Sequence, residues 1–377
     1  MEVLDLSGGV KVEPLVSIIT PSYNSEKYLD AFFISILEQD YENYEVIFIN
    51  DGSTDRTENI VYKYKEKFEE RNIRFVYLKQ ENGGQAKAMN LGFPYIQGKY
   101  FIWPDSDDEL YRNNISEKVK YMEQHPDIPL AMSWADYVDE SGNVIKRLQR
   151  IKPEKDNFFE DLLFSKNVVF CPGIYIMRTD IFFKYVPSRH INESRIGQNY
   201  QILLPVAYHE KKIGYIDKTL YKYILHKNSH SNKDNNNYEK TIRRFQEHEN
   251  TLYDLVKNIC DVNDQNIYTR KVFVHFNRFY LRLANEYGMK SEVKVYYNKL
   301  KVVGENGIKQ KIYYIMGMLG HHQTITYENW PSYDNSKTIN QEVTVVVQIN
   351  GKLRDKLQVS IDTTKEELER LAWHREV

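Results

Sequence analysis

The first hundred residues of the chain alternate short apolar runs with longer mixed segments. Continuous apolar runs are typical of buried parallel strands, and the longer segments between them predict helices. This alternation predicts a parallel sheet covered by helices on both of its faces. The predicted strands cover residues 16–20, 45–50, 74–78 and 100–103, and the predicted helices cover residues 28–39, 54–71 and 85–96.

The pattern changes beyond residue 130. Residues 130–145 predict a hairpin with its turn at 140–143, and strand-like runs follow at 213–216 and 220–224. After the polar segment 227–237, apolar residues recur at three- and four-residue spacing, which predicts a helical appendage.

The last sixty residues have a third pattern. Two predicted strands, 343–349 and 352–359, flank an Asn350-Gly351 turn, and a helix is expected to begin near Thr364. We therefore divide the chain into an α/β domain at residues 1–232, a helical extension at 233–316, and a small β-hairpin-plus-helix unit at 317–377.

Composition narrows the class of protein. The 377 residues are 41% apolar, enough for a large core, and the net charge of -2 provides no global basic field for nucleic acid or acidic membrane. Cys171 and Cys260 are far apart and form no metal-binding pattern, which fits a reducing compartment. Without a run of eighteen apolar residues, we expect a cytoplasmic protein, or one peripheral to the inner face of a membrane.

Polar, turn-forming residues directly follow three of the predicted strands. They are Pro21-Ser22-Tyr23-Asn24, Asp51-Gly52-Ser53-Thr54-Asp55 and Pro104-Asp105-Ser106-Asp107-Asp108. Because ligands of open α/β sheets bind beyond the carboxyl ends of the strands, the sequence predicts that these segments form one cleft.

Each segment also has a simpler explanation. Asp105 and Asp107 have the spacing to share Mg²⁺ or Mn²⁺ bound to substrate phosphates, but acidic residues also cap helices. Asp51 is placed to accept the N3–H of uracil, or it only begins a turn. Asn82-Gly83-Gly84 lets the backbone approach a ribose or phosphate, or it is an ordinary turn.

Together these motifs resemble the family 2 glycosyltransferases of the GT-A fold, a Rossmann-like mixed sheet with helices on both faces. The resemblance covers about residues 16–232, and it also includes Ala86, Asn90 and Gly92. It implies inverting transfer of a sugar from a nucleoside diphosphate donor, most simply a UDP-sugar, with Mn²⁺ or Mg²⁺ as the cofactor. Asp105 and Asp107 would form the metal-binding DxD motif. The implied donor-binding residues are Pro21, Tyr23, Asn24, Asp51, Asn82, Gly83, Lys87, Asp105, Ser106 and His230.

The chain departs from the family pattern at two places. Relatives have an acidic pair that supplies the general base, whereas this chain has Gln198-Asn199 before an apolar segment. An amide cannot remove a proton, so we predict Glu193 as the base, with Asp136 as the second candidate. Met89 stands where relatives often have arginine, and Lys87 is the replacement cation.

A polar segment near residues 226–231 ends the resemblance. The family places such histidines, here His226 and His230, on a loop that closes over the diphosphate and excludes water. A plain polar linker explains the same composition equally well.

The carboxyl-terminal sixty residues resemble a different family, the carboxyl-terminal region of bacterial leucyl-tRNA synthetase. The matching segments include Trp330-Pro331, residues 345–354 and Lys365-Glu366-Glu367-Leu368. The catalytic motifs of a synthetase are absent from the sequence, so synthetase activity is excluded. A natural fusion, an assembly error and an engineered join would each produce this sequence.

The sequence thus leads to two hypotheses. The first is a glycosyltransferase of cell-surface polysaccharide or glycoprotein assembly, whose partners are a nucleotide-sugar donor and a saccharide, lipid-linked or protein acceptor. The second is a catalytically silent fusion protein that binds sugar nucleotides or RNA. No firm nucleic acid partner is predicted, because acidic residues offset the basic residues of the tail. Homo-oligomerisation is open at this stage.

Overall fold

A computed structural model describes residues 3–4, 10–11, 13–152, 157–194, 197–226, 237–320, 342–349, 352–360 and 362–373. The chain forms two compact units, Met1–His322 and Gln323–Val377. The first unit contains both the α/β region and the helical extension, and its boundary lies a few residues inside the segment that we assigned to the tail.

The strands of the described residues are mostly short. In chain order they are β1 Val3–Leu4, β2 Val10–Lys11, β3 Val16–Ser22, β4 Tyr44–Asn50, β5 Phe75–Lys79, β6 Tyr100–Ile102, β7 Glu109–Leu110, β8 Leu130–Val138, β9 Val144–Leu148, β10 Tyr175–Arg178, β11 Gly214–Ile224, β12 Glu342–Ile349 and β13 Lys352–Ser360.

The α-helices are longest in the carboxyl-terminal half of the first unit. They are α1 Leu29–Leu37, α2 Thr57–Glu70, α3 Gln85–Gly92, α4 Asn114–Gln124, α5 Phe158–Leu163, α6 Thr179–Tyr185, α7 Gln198–Glu210, α8 Tyr238–Ile259, α9 Val262–Glu286, α10 Lys290–Val302, α11 Ile308–Leu319 and α12 Lys365–Trp373. Two short 3₁₀ helices cover Phe93–Tyr95 and Pro172–Ile174.

One mixed sheet organises the first unit, with the strand order β5-β4-β3-β6-β10-β8-β11-β7 and β9 paired to β8. Strands β5, β4, β3 and β6 are mutually parallel, whereas β10 is antiparallel to both of its neighbours. The chain moves outward from β3 to β5 and then returns to place β6 on the other side of β3. A ligand crevice is expected at this reversal of strand order.

Helices cover both faces of the sheet. On one face, Phe33 of α1 packs against Phe48 of β4, with ring centroids 5.3 Å apart. On the other face, Gly92 of α3 lies so close to Ile19 and Ile49 that a Cβ there would be within 2.8 Å of both side chains. Residues 48 and 49 point to opposite faces because strand side chains alternate. All residues of β3 and β4 are buried, which explains why apolar residues occupy consecutive positions in both strands.

The predicted fold class is confirmed: a GT-A-type mixed sheet with helices, a helical extension and a small terminal strand pair. Details differ where local chemistry intervenes. The predicted helix at 85–96 ends as α-helix at Gly92 and continues as 3₁₀, because Pro94 has no backbone N–H to donate. The two strands predicted at 213–216 and 220–224 are one strand, β11, with irregular pairing between Tyr215 and Tyr221.

The helical extension packs through aromatic side chains. Within α8 and α9, Phe245 and Phe279 have ring centroids 4.2 Å apart, and Tyr280 donates a hydrogen bond to Glu249. No helix of the described residues is both long enough and apolar enough to cross a bilayer.

The second unit contains the predicted hairpin and helix. Strands β12 and β13 pair antiparallel, with Val345 opposite Leu357, and α12 follows. The Asn350-Gly351 turn and Trp330-Pro331 lie outside the described residues.

Candidate functional site

The carboxyl ends of β3 and β6 are held together by hydroxyl groups. Thr20 Oγ1 donates a hydrogen bond to the Pro104 carbonyl at 3.1 Å, and the hydroxyls of Ser25 and Ser106 are 3.0 Å apart. Ser106, predicted to bind the donor, is buried and engaged with Ser25. These contacts fix the position from which the acidic cluster projects.

The ends of β3 and β4 are joined in a similar way. Asn24 has a left-handed backbone (φ 52°), its N–H donates to Ser53 Oγ at 2.9 Å, and its side-chain oxygen accepts from the Thr54 N–H at 2.8 Å. Pro21 is buried in β3, whereas Tyr23 is 47% exposed. Tyr23 is therefore the member of this segment with a ring surface open to a ligand.

Asp51 organises the loop that follows β5. Its Oδ1 accepts from Gln80 Nε2 at 2.7 Å and from the Gly83 N–H at 2.8 Å, and its Oδ2 accepts from Asn82 Nδ2 at 3.2 Å and from the Gly84 N–H at 2.8 Å. A carboxylate has about four acceptor positions, so these donors occupy it. A nucleobase N–H would have to replace one of them, and the side-chain donors are the replaceable ones.

The glycines of this region permit the close approach of two loops. Gly52 has φ +76°, and a Cβ there would lie 2.6 Å from the Asn82 backbone nitrogen. Lys87 is exposed, and its aliphatic chain lies over Gly83. Met89, which stands where relatives often have arginine, is 1% exposed and lies in the core. Its position therefore supplies no cation to the site.

Three carboxylates converge after β6. Asp105, Asp107 and Asp108 have side-chain oxygens that lie within 4.8 Å of one another. Asp108 is buried and accepts hydrogen bonds from the Tyr221 hydroxyl at 2.9 Å and the Ile224 N–H at 2.8 Å. Asp105 and Asp107 are only partly buried. Asp108 thus anchors the loop to β11, and the other two carboxylates face the cleft.

The electrostatics of this cluster fit a cation. Burial, followed by the charge of Asp107, raises the pKa of Asp105, although Gln85 donates a hydrogen bond to it. Burial also raises the pKa of Asp108, and the charges of both other carboxylates add to this effect. An all-oxygen donor set of carboxylates that raise one another's pKa suits Mg²⁺ or Mn²⁺.

His226 closes one side of the cluster. Its ring packs on Tyr28 at a centroid distance of 4.1 Å, and its Nε2 lies 3.7 Å from Asp107 Oδ2. Its Nδ1 is buried and has no hydrogen-bond partner among the residues that the structure describes. His230, predicted to contact the donor, lies outside the described residues.

The amide pair at the start of α7 contacts two residues that lie beside the same cluster, Gln85 and Trp103. Gln198 Nε2 donates to Gln85 Oε1, and Gln85 Nε2 in turn donates to Asp105 Oδ1 at 3.3 Å. Asn199 Oδ1 accepts from the Trp103 indole at 3.1 Å. The amides that replace the acidic pair of relatives are therefore within the site and are engaged in hydrogen bonds.

Glu193 lies in a segment pinned to α3 and α7. The Ile191 N–H donates to Asn90 Oδ1 and the Asn192 N–H donates to Gln201 Oε1, at 2.8 and 2.6 Å. The Glu193 side chain is 47% exposed, 3.8 Å from His190 Nε2. The Glu193 side chain is therefore open to solvent beside α3. The first residue of that helix, Gln85, donates a hydrogen bond to Asp105.

Asp136 has a different environment. It accepts from the Tyr111 hydroxyl at 3.0 Å and pairs with Arg147 Nε at 3.2 Å. In the sheet it is paired with Lys222, one residue from Tyr221, so it points to the face opposite the tyrosine that contacts Asp108. The structure does not bring Asp136 to the acidic cluster.

Sequence reasoning missed Gln80, Gln85 and Tyr221. Gln85 is the first residue of α3, and its proximity to the Gly83-Gly84 turn is the one local signal. Tyr221 reaches Asp108 across 113 residues, which no local pattern indicates.

Residues 17–185 match the model of the family Glycosyl transferase family 2. This segment is therefore similar to family 2 glycosyltransferases, and it contains the strand-end motifs and the acidic cluster. The match ends before the Gln198-Asn199 pair and the helical extension.

Curated relatives fall into long and short matches. An uncharacterised glycosyltransferase of Methanocaldococcus jannaschii is 28% identical over 279 residues, 71% of this chain and 88% of that protein. One from Rickettsia prowazekii is 42% identical over 109 residues, 29% of this chain and 32% of that protein. The putative teichuronic acid biosynthesis glycosyltransferase TuaG of Bacillus subtilis is 41% identical over 110 residues, 29% of this chain and 42% of that protein. The chain thus spans less than half the length of two of these relatives.

Among solved structures, a fragment of S. aureus TarS in complex with UDP-GlcNAc has a similar fold. The TM-score is 0.56 at 18% identity, and the match covers 90% of this chain and 95% of that one. This likeness of fold extends beyond residues 17–185 into the helical extension.

Proposed function

We propose that this protein transfers a sugar from a nucleoside diphosphate donor to a hydroxyl group, with inversion of the anomeric centre. The observation that carries the proposal is the cluster of Asp105, Asp107 and Asp108 at the strand ends of a family 2 domain. The acceptor would be a saccharide, lipid-linked or protein hydroxyl in cell-surface polysaccharide or glycoprotein assembly.

In this proposal Asp105 and Asp107 hold Mn²⁺ or Mg²⁺. The bound ion would neutralise the negative charge that develops on the leaving nucleoside diphosphate. Asp108 holds the loop, because its oxygens are already engaged by β11. Gln85 and Gln198 orient Asp105 from the other side of the cleft.

We assign uracil as the base of the donor. Its N3–H would be read at Asp51 in place of a side-chain donor of the 80–84 loop, with Tyr23 as the exposed ring beside it. TarS, which shares the fold, has been crystallised with UDP-GlcNAc. Pro21, Asn24, Asn82, Gly83, Lys87, Ser106 and His230 complete the donor set that we propose.

We assign the general base to Glu193, with Asp136 as the alternative. Glu193 is accessible and adjoins α3, whereas Asp136 is paired with Arg147 on the opposite face of the sheet. Gln198 and Asn199 would then position the acceptor without exchanging protons.

One panel of variants tests these assignments by calorimetry and by a transfer assay with UDP-sugars. Asp107→Asn should abolish transfer and remove the Mn²⁺-dependent part of donor affinity, whereas Asp139→Asn, in an exposed turn, should change neither. Glu193→Gln should keep donor binding and lower kcat by roughly 10²- to 10⁴-fold, as expected for a lost general base. Equal donor affinity with and without a chelator would reject the metal assignment.

The amide pair supports one alternative, a protein that binds sugar nucleotides without catalysis. The same panel separates the two proposals. Wild-type protein that binds a UDP-sugar tightly but transfers no sugar to any acceptor, and hydrolyses none, would favour the silent binder.

A further inference from the structure

A second cavity, distant in sequence from the acidic cluster, lies in the helical extension. It has a volume of about 820 Å³, within the range of ligand pockets, and is lined mainly by α9, by the start of α11 and by residues near α5. Six basic side chains and two acidic ones line it. The basic ones are Lys166, Arg270, Lys271, Arg278, Arg282 and Lys309. We call this cavity the basic groove.

The cations are spread along the groove. Arg270, Arg278 and Arg282 lie on α9, so the first and the last are separated by about 18 Å at 1.5 Å per residue. Lys166 and Lys309 come from other parts of the chain. This is the arrangement needed to meet several charges on an extended ligand.

Two carboxylates hold some of these cations in place and leave them accessible. Glu305 pairs with Arg270 at 3.4 Å and with Arg278 at 2.7 Å, and Glu160 pairs with Lys271 at 3.0 Å. The three basic side chains are still between 43% and 60% exposed. Positive charge therefore remains in excess and faces solvent.

His275 lines the groove without adding to its positive charge. Burial lowers its pKa to about 4, and the charges of Lys166, Arg278 and Arg282 add to this effect. The imidazole is consequently neutral at pH 7. Phe279 and Tyr313 also line the groove, and the Arg282 guanidinium lies 5.4 Å from the Phe279 ring centroid. Aromatic rings beside cations suit a ligand that has both apolar faces and negative charges.

The groove is linked to the candidate active site through two packed helices. Glu160 belongs to α5, which packs against α7, and α7 begins with Gln198, whose amide donates to Gln85. Both sites belong to the first compact unit.

We propose that the basic groove binds an anionic saccharide polymer, a chain with repeated phosphate or carboxylate groups, as the acceptor. This inference rests on the proposed glycosyltransferase function and adds the chemical class of its acceptor. Nucleic acid fits less well, because the basic groups are confined to a cavity. An anionic membrane is flat, whereas these cations line a concavity.

The test is fluorescence anisotropy of the full chain with labelled polymers at low and high salt. The probes are inorganic polyphosphate, polygalacturonate, neutral dextran and a single-stranded RNA, with phosphatidylglycerol vesicles measured by sedimentation. Either anionic polymer should bind in a salt-sensitive manner, and dextran should not. The tighter of the two assigns phosphate or carboxylate as the recognised group.

Two matched triple variants locate the binding. Lys166→Gln, Arg282→Gln and Lys309→Gln together should weaken polymer binding at least roughly tenfold, as the sum of three modest ion pairs. Lys120→Gln, Lys257→Gln and Lys294→Gln remove the same charge outside the groove and should change it less than about twofold. Circular dichroism checks that both triples fold.

Several results would overturn the inference. They are no binding of either anionic polymer to the wild type, equal losses in the two triples, and tighter binding of RNA or vesicles through the groove residues. Donor calorimetry on the wild type keeps the two proposals apart. A chain that binds a UDP-sugar but no polymer fails only this inference, whereas one that binds polymer but no donor fails the proposed function.

Discussion

Asp51 is 3% exposed, and its carboxylate accepts four hydrogen bonds, two of them from the backbone N–H groups of Gly83 and Gly84. The N–H groups of these two glycines lie at the start of α3, where the helix itself offers them no acceptor. One side chain therefore sets both the shape of the loop and the position of the helix that bears Gln85.

At this residue scale we predict that Asp51→Ala lowers the free energy of unfolding by about 2–4 kcal/mol, since it leaves buried donors unsatisfied. Urea denaturation measures the loss. The matched control is Asp139→Ala, whose carboxylate accepts from Ser141 and Asn143 N–H groups in an exposed turn. The control should lose clearly less, because water replaces the lost acceptor there. Similar losses in both variants would contradict the loop-organising role of Asp51.

At the scale of elements, α4 is joined to the middle of the sheet by a buried lysine. Lys118 is fully buried, and its Nζ donates to the Gly173 carbonyl at 2.7 Å and to the Tyr175 carbonyl at 3.3 Å. Burial lowers the pKa of Lys118 to about 7. Above that pH the folded chain releases a proton that the unfolded chain retains up to the ordinary lysine range.

The unfolded state therefore binds more protons between about pH 7 and pH 10, and the stability contribution of Lys118 rises with pH. We predict that wild type gains up to about 1.4 kcal/mol per pH unit relative to Lys118→Met between pH 7 and pH 9. Unfolding free energies at pH 6, 7, 8 and 9 measure this difference. Lys120 is an exposed lysine of the same helix, and the curve of unfolding free energy against pH for Lys120→Met should run parallel to the wild-type curve. Parallel curves for Lys118→Met as well would refute the prediction.

At the scale of the whole molecule, the two compact units set where the chain can be shortened. The first unit ends at His322, and α11 runs to Leu319 within it. Gly317 of α11 is buried so tightly that a Cβ there would lie 2.7 Å from Asn285 Oδ1 and 3.0 Å from Val293. Strands β12 and β13 of the second unit pair with each other.

We predict that truncation after His322 leaves the Tm and the donor affinity unchanged. Truncation after Met316 removes the last turn of α11 and should lower the Tm by several degrees, because roughly 1–2 kcal/mol of packing is lost from a domain of this size. Calorimetry of the two truncated chains measures both the Tm and the donor affinity. Loss of donor binding after the His322 truncation, which removes the second unit alone, would show that the tail completes the site.

Much of the first unit was predictable because its information is local. Strands β3 and β4 are buried on both faces, so apolar residues occupy consecutive positions in them, and the turn residues after them mark where the strands end. The helical extension follows from three- and four-residue spacing. Asp105 and Asp107 were identified as candidate metal ligands for the same reason, since two residues of separation at a strand end fix their proximity.

Tertiary structure alone decided which distant residues complete the candidate site. Gln198 meets Gln85 across 113 positions of sequence, and Tyr221 meets Asp108 because β11 pairs with β7, the strand that directly follows Asp108. The basic groove likewise joins Lys166, α9 and Lys309. Periodicity records which face of an element is buried, but it does not record which elements meet. Those meetings depend on strand order and helix packing, and they separate Asp136 from the acidic cluster while bringing the amides of α7 to it.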